Sequence, residues 1–256
     1  MRPIRHAASL ALACLFLPLA CSDEDPPTET RERFCDRWAE AACSDQVISA
    51  CQAANVDECR LSQERVCLER IPTTGFVGLN ADACLGQVRA AYADGDLTAS
   101  ELGVVLRFAA PCNQLVSGDG EVGSSCSESN ECDAVRGLDC VFKGSAVTGT
   151  CQRPTIVQPG RDCSDAAAVC TEGFYCNGDN CIEGNGEGDA CARDEECAVG
   201  YCNGAGVCAE GLAVNRPCTL DEECASGFCL ELSASERVCT DRVRLSRTDP
   251  LCNDLR

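Results

Sequence analysis

The sequence predicts an α-helical, disulfide-stapled N-terminal domain followed by small disulfide-rich β-hairpin and loop repeats. Three observations predict it. The chain holds 26 cysteines in 256 residues, roughly 10%, the level of a secreted disulfide scaffold. Helical periodicity runs from about residue 31 to 115 and stops at Gly118. A four-cysteine pattern then occurs four times, the mark of a repeat architecture. Aromatic residues are only 4% of the chain, so the side chains that usually dominate a core are scarce and cross-links must supply stability.

Residues 1–20 read as an export signal. Arg2 and Arg5 form a positive n-region, and "AASLALACLFLPLA" is an apolar h-region, too short to span a bilayer as a helix. It ends in "PLAC" and continues as "SDEDPPTETRE". This junction resembles a bacterial lipoprotein signal, in which the cysteine becomes the lipidated first residue. The resemblance places a lipid on Cys21 and a membrane as the first partner. Pro18 stands where that family usually carries Leu. Cys14 is a competing site with a shorter apolar run before it, and cleavage after Ala20 without lipidation is the alternative. Removing Cys14 and committing Cys21 to lipid leaves 24 cysteines, an even number, as full pairing requires. Residues 21–30 have the acidic, Pro-containing composition of a flexible tether.

The helical region, 31–115, opens with Phe34, Trp38 and Ala42 on one face. Cys35, Cys43, Cys51, Cys59 and Cys67 follow one another at intervals of eight. Eight residues overshoot two helical turns by about 80°, so the five cannot share a face of one straight helix, and short helices stapled together are expected. "LNADACLGQVRAAYADG" reads as a helix with Cys84, Val88 and Ala91 inward and a stop at Asp94–Gly95. "TASELGVVLRFAAPC" starts with a capping box, Thr98 to Glu101. It places Leu102, Val105, Leu106 and Ala109 at helical spacing, and Pro111 is expected to end it. With Cys112 the region has seven cysteines.

The repeats are unit 1 (118–151: Cys126, Cys132, Cys140, Cys151), unit 2 (160–181: Cys163, Cys170, Cys176, Cys181), unit 3 (188–208: Cys191, Cys197, Cys202, Cys208) and unit 4 (215–239: Cys218, Cys224, Cys229, Cys239). Units 3 and 4 share C-x5-C-x4-C with "DEEC" and "G[YF]C" inside it. Gly or Asn stands shortly before each first cysteine, in "GSSC", "GRDC", "GDAC" and "NRPC", which suggests turns feeding short strands. Two internal disulfides per unit are expected, with the units arranged as beads in limited contact. Residues 240–256 remain as a C-terminal tail with Cys252, whose expected partner lies in the helical domain, Cys112 being the candidate.

The cysteines favour disulfides over metal or redox chemistry. No C-x-x-C is present and His6, the only histidine, lies in the signal, so a thioredoxin-like motif is missing. The C-x4-C spacings fall at the edge of the usual zinc range, and the oxidising compartment of an exported chain decides for disulfides. Without a mature histidine there is no Ser-His-Asp triad, Cys-His pair or His-ligated zinc hydrolase. Lys143 is the only lysine, and nothing around it suggests a desolvated pocket. "DGDLTASEL" looks like half an EF-hand, but aligning Glu101 to the last ligand position puts Ala90 and Tyr92 where carboxylates are needed. A turn and a capped helix is the better reading. The acids of "DEEC", such as Asp194 to Glu196, read as a solvated face. No catalytic residue, metal ligand or cofactor is expected.

The C-x5-C-x4-C frame with "DEEC" and "G[YF]C" resembles the Dickkopf N-terminal-type cysteine-rich repeats, and more loosely EGF-like or EB modules. Units 1 and 2 depart from it by longer or shifted gaps. The whole arrangement is similar to the cysteine-rich lipoproteins of myxobacteria and related high-GC soil bacteria. The Wnt-antagonist role of animal Dickkopf proteins does not carry over. The resemblance implies a non-enzymatic, lipid-anchored protein of the bacterial envelope, at the outer membrane or cell surface, acting as a binding or structural module toward a protein or envelope polymer. The alternatives are a disulfide-rich inhibitor of extracellular proteases and, less favoured, a secreted enzyme. The net charge of −20, two units more negative once Arg2 and Arg5 leave, opposes nucleic-acid binding. Candidate contact residues are Phe142, Phe174, Tyr175, Tyr201 and Phe228; the competing role for these rings is to cover the disulfides.

Overall fold

The computed structural model describes residues 29–144, 146, 148–233 and 235–256. The expected signal, Cys14, Cys21 and most of the tether lie outside the described residues.

Five helices build the N-terminal body: α1 (Arg31–Ala42), α2 (Asp45–Cys51), α3 (Val56–Arg70), α4 (Ala81–Ala91) and α5 (Ala99–Arg107). Four begin on side-chain caps that satisfy an otherwise orphaned N–H. Thr30 accepts from Arg33 N, Ser44 from Val47 N, Asn55 from Glu58 N, and Thr98 from Glu101 N within a complete capping box. Helix α5 ends at Arg107, before Pro111, because Phe108 turns left-handed at φ 52°. That turn brings its ring to 5.1 Å from Trp38.

The eight-residue cysteine spacing resolves into a nested set. Helices α1 and α3 lie antiparallel, tied by Cys35–Cys67 and Cys43–Cys59. The middle cysteine, Cys51, is left at the fold point and pairs with Cys252, 201 residues away. Cys112, the expected partner of Cys252, bonds Cys84 instead and ties α4 to the turn after α5.

Residues 240–256 are therefore no tail. Strand Arg242–Arg244 pairs antiparallel with Asp96–Thr98, setting Val243 opposite Leu97. Leu245, Cys252 and Leu255 join Phe34, Trp38, Val88, Leu102 and Leu115 in one buried core. Phe228 and Leu230 of unit 4 enter the same core, and Gln63 Nε2 donates to Asp254 O. The body is completed by both ends of the described chain.

All four units share one plan. The first cysteine bonds the third and the second bonds the fourth: Cys126–Cys140 and Cys132–Cys151, Cys163–Cys176 and Cys170–Cys181, Cys191–Cys202 and Cys197–Cys208, Cys218–Cys229 and Cys224–Cys239. The third and fourth cysteines face each other across an antiparallel hairpin in every unit: Cys140 and Cys151, Cys176 and Cys181, Cys202 and Cys208, Cys229 and Cys239. The residue six before the first cysteine pairs in parallel with the second: Gly120 with Cys132, Val157 with Cys170, Asn185 with Cys197, Leu212 with Cys224. Units 1 and 2 obey this register despite their altered gaps.

The Gly or Asn before each first cysteine has a specific task. Gly123, Gly160, Gly188 and Asn215 all have positive φ, between 67° and 87°, where glycine and asparagine are least strained. Each donates its N–H to the carbonyl of its unit's fourth cysteine at 2.7–2.9 Å. The fourth cysteine's N–H returns to the carbonyl of the next residue, Ser124, Arg161, Asp189 or Arg216, at 2.8–2.9 Å.

Two predictions follow from this frame. Non-reducing peptide mapping will recover a Cys51–Cys252 linked pair, and replacing both with serine will lower stability by about 3–5 kcal/mol in thermal unfolding. A Cys51–Cys112 peptide would contradict it. Second, a methyl on Gly200 would lie 1.9 Å from Ala209 O at φ +76°, whereas one on Gly227 at φ +71° meets nothing within 4 Å. Gly227→Ala will cost ~1 kcal/mol of backbone strain, and Gly200→Ala more than about 3 kcal/mol, with a lower yield of correctly oxidised protein. Equal losses would show that the close approach at Gly200 is not tight.

Candidate functional site

Units 1, 2 and 3 are not separate beads. They enclose a groove of about 400 Å³. Unit 1 supplies Asp139, Val141 and Phe142, the following linker supplies Pro154 and Ile156, unit 2 supplies Val169, Phe174 and Tyr175, and unit 3 supplies Arg193 and Glu195. The floor is the parallel pair Thr155–Val157 and Ala168–Cys170. Ile156 stands 61% exposed on it.

Two cations lock the three units together. Lys143 reaches from unit 1 into unit 2, donating Nζ–H to Cys163 O at 3.0 Å and Ala168 O at 2.6 Å. Burial lowers its pKa from the ordinary lysine value, partly offset by Asp165. The expectation that Lys143 lacks a desolvated setting is thus corrected: its neighbours in space come from residues 163–168, not from its own stretch. Arg193 reaches back from unit 3 and donates to Gly144 O of unit 1. Its guanidinium lies 5.5 Å from the centre of the Phe142 ring, a cation–π distance. Its Nε, buried without a hydrogen bond, sits 3.9 Å from Glu195.

The candidate contact residues divide. Phe142, Phe174 and Tyr175 converge in the groove. Phe142 also packs against the cystines of unit 1, and Phe174 against those of unit 2, so both rings cover disulfides while facing the groove. Tyr201 is half-buried on the unit 3 hairpin, outside the groove. Phe228 is not a contact residue: it is 1% exposed, held in the helical core beneath Arg107, whose guanidinium is 5.2 Å from the ring centre. The G-F-C pattern matches the G-Y-C of half-buried Tyr201, and only the docking of unit 4 on α5 separates them. Arg107 completes that docking with Asp221 at 3.1 Å and Cys229 O at 3.3 Å.

The "DEEC" acids are mostly structural. Glu196 is only 8% exposed. It accepts from Ala192 N at 3.0 Å, as Glu131 does from Ser127 N at 2.7 Å and Glu223 from Thr219 N at 2.6 Å. Asp194 accepts from Cys202 N at 2.7 Å and Asp221 from Cys229 N at 2.8 Å. Of the two "DEEC" motifs, only the middle acids, Glu195 and Glu222, are exposed. The expected wet face from Asp194 to Glu196 is one residue wide. An extended N-cap and a one-turn helix before a cysteine would have given the signal.

The near-EF-hand stretch forms the expected turn and capped helix, with an unexpected strand, Asp96–Thr98, between them, and Asp96 pairs with Arg242 and Arg244 at 3.4 and 3.3 Å. Three sulfurs in each unit, such as those of Cys126, Cys132 and Cys151, lie within 4.8 Å of one another. They do so because the two disulfides stack, and a disulfide sulfur is not the thiolate that zinc requires. Among the described residues no helix is long and apolar enough to cross a membrane. A second groove, of about 440 Å³, runs between the helical body and unit 1 past Arg70, Arg107 and Phe108. Its guanidiniums are already engaged, Arg70 with Val105 O and Asp254 and Arg107 with unit 4.

Comparison with protein-family models, with curated proteins and with solved structures finds no match.

The acid network makes unit 4 sensitive to pH. Hydrogen bonds from the Thr219 backbone and hydroxyl, then from Leu220 N, hold the Glu223 carboxyl below its ordinary value of 4.5. A carboxyl depressed on folding stabilises above its unfolded pKa, and that stability is lost as pH falls through the folded value. Amide exchange at Thr219 and Cys224 will therefore accelerate as pH falls below about 4.5, after correction for intrinsic rates, and Glu223→Gln will remove this dependence. An unchanged profile in that variant would assign the acid sensitivity elsewhere.

Proposed function

We propose that this chain is a non-enzymatic binding module of the bacterial envelope, held to a membrane by a lipid on Cys21. The observation that carries the binding role is the groove of units 1–3. Three aromatic rings from two units converge there on a cross-linked floor. Pre-organised surfaces lose little conformational entropy on binding, which is what a disulfide frame provides. Twelve disulfides suit an oxidising compartment outside the cytosol.

The anchor is supported by the "PLAC" junction and by parity. The twelve bonds use every cysteine after Cys21, so Cys21 has no intramolecular partner among the described residues. The acidic stretch "SDEDPPTET" then serves as a spacer that keeps the folded part away from anionic headgroups.

The test is metabolic labelling with palmitate during expression in a bacterial host. Label is expected on the native chain and not on Cys21→Ala, and globomycin should cause the unprocessed precursor to accumulate. An unlabelled mature chain beginning at Cys21 would replace the anchored reading with a freely secreted protein.

A further inference from the structure

We infer that the groove between units 1, 2 and 3 is a binding site for a neutral oligosaccharide. This inference rests on the reading of the chain as a binding module and names the chemistry of its ligand.

Phe142, Phe174, Tyr175 and Ile156 offer apolar surface, the kind that packs against the C–H faces of sugar rings. Around them stand groups that hydrogen-bond hydroxyls: the carboxylates of Asp139 and Glu195, and the Tyr175 hydroxyl, which has no protein partner among the described residues. A carboxylate accepts two hydroxyls and a phenol both donates and accepts. An apolar bed with a few convergent polar groups is the usual make-up of a small-molecule site. The volume, about 400 Å³, lies in the ~300–1,000 Å³ range of such sites.

Charge decides between ligand classes. The chain carries −20 overall, which repels phosphate- and carboxylate-bearing polymers. The groove itself is balanced: Asp139 and Glu195 line it with Arg193, and Lys143 lies under its floor at Ala168 O. An organic cation would meet cations already in place, Arg193 over Phe142 and 3.9 Å from Glu195, and Lys143 beneath the floor at Ala168 O. An anion would find Arg193 spent on Gly144 O and Phe142. A ligand with many hydroxyls and no charge is left as the one that fits both the rings and the balance.

The experiment uses the full mature chain and three neutral probes: cellotetraose, maltotetraose and chitotetraose. Saturation-transfer NMR is expected to show transfer to sugar C–H protons for at least one of them. Tyr175→Ala should weaken that probe by roughly tenfold or more, Tyr175→Phe should keep the ring contact and most of the affinity, and Tyr201→Ala, outside the groove, should leave binding unchanged. Peptide mapping of the disulfides in each variant separates a lost contact from a misfolded unit. Silence from all three probes, or equal binding by Tyr175→Ala, would overturn the groove assignment while leaving the anchored module intact. Recovery of a bound probe in shortened form would instead overturn the non-enzymatic reading and leave the groove standing.

Discussion

Crossed disulfides are the constraint on which the rest of this structure depends. Each unit bonds its first cysteine to its third and its second to its fourth, so two closed loops overlap along the chain. The third and fourth cysteines are cross-strand neighbours in the hairpin, yet each bonds backwards to the segment before it. This pattern sews the entry turn to the hairpin. A single loop of this size restrains the unfolded chain by about 3 kcal/mol, and a unit of some two dozen residues has too few apolar side chains to hold a shape otherwise. The backbone then does what side chains do elsewhere: the exchange between each fourth cysteine and the turn before the first is repeated four times with nearly equal lengths.

Unit 2 shows how the frame tolerates variation. It lacks a Glu before its second cysteine, where Val169 stands, so the cap made by Glu131, Glu196 and Glu223 is missing. Two other features supply its order. Its parallel bridge lengthens into the strand pair Thr155–Val157 with Ala168–Cys170, and Lys143 of unit 1 donates to two of its carbonyls. The unit least able to hold itself is the one clamped by a neighbour. That dependence draws units 1 and 2 together and creates one wall of the groove.

Much of this was legible in the sequence, because local chemistry and cysteine order are local signals. The capping box at Thr98, the inward face of α4 and the Gly or Asn before each first cysteine all follow from residues within a turn or two of one another. The cysteine order gives the grouping into four units, although the parallel pairing of units 2 to 4 begins earlier than expected, at Val157, Asn185 and Leu212. What was not legible lies in contacts across long separations. Phe228 and Tyr201 occupy equivalent places in near-identical motifs, and only docking against α5 buries one of them. Cys252 could have met any of the seven cysteines of the helical region; the symmetry of Cys35, Cys43, Cys59 and Cys67 about Cys51 singles out the partner once α1 and α3 are known to be antiparallel. Lys143 is isolated in sequence and its setting is formed wholly by unit 2. The groove belongs to the same class, since no single unit contains it.

The distribution of charge carries the functional argument one step further. Acidic side chains appear throughout the units, but those of the recurrent motif turn inward to the backbone: Asp194, Glu196, Asp221 and Glu223 each hold an amide. Their negative charge is the consequence of a structural task that a carboxylate performs well, because a charged acceptor makes a stronger bond than a neutral one. The remaining acids spread over the surface, where mutual repulsion opposes self-association. Against that background the groove of units 1–3 is distinct. There Arg193 stands over Phe142 and 3.9 Å from Glu195, and the rings that cover the cystines also line the groove. For a ligand without charge, the rings of Phe142, Phe174 and Tyr175 supply the contact area, since the surrounding acids neither attract nor repel it.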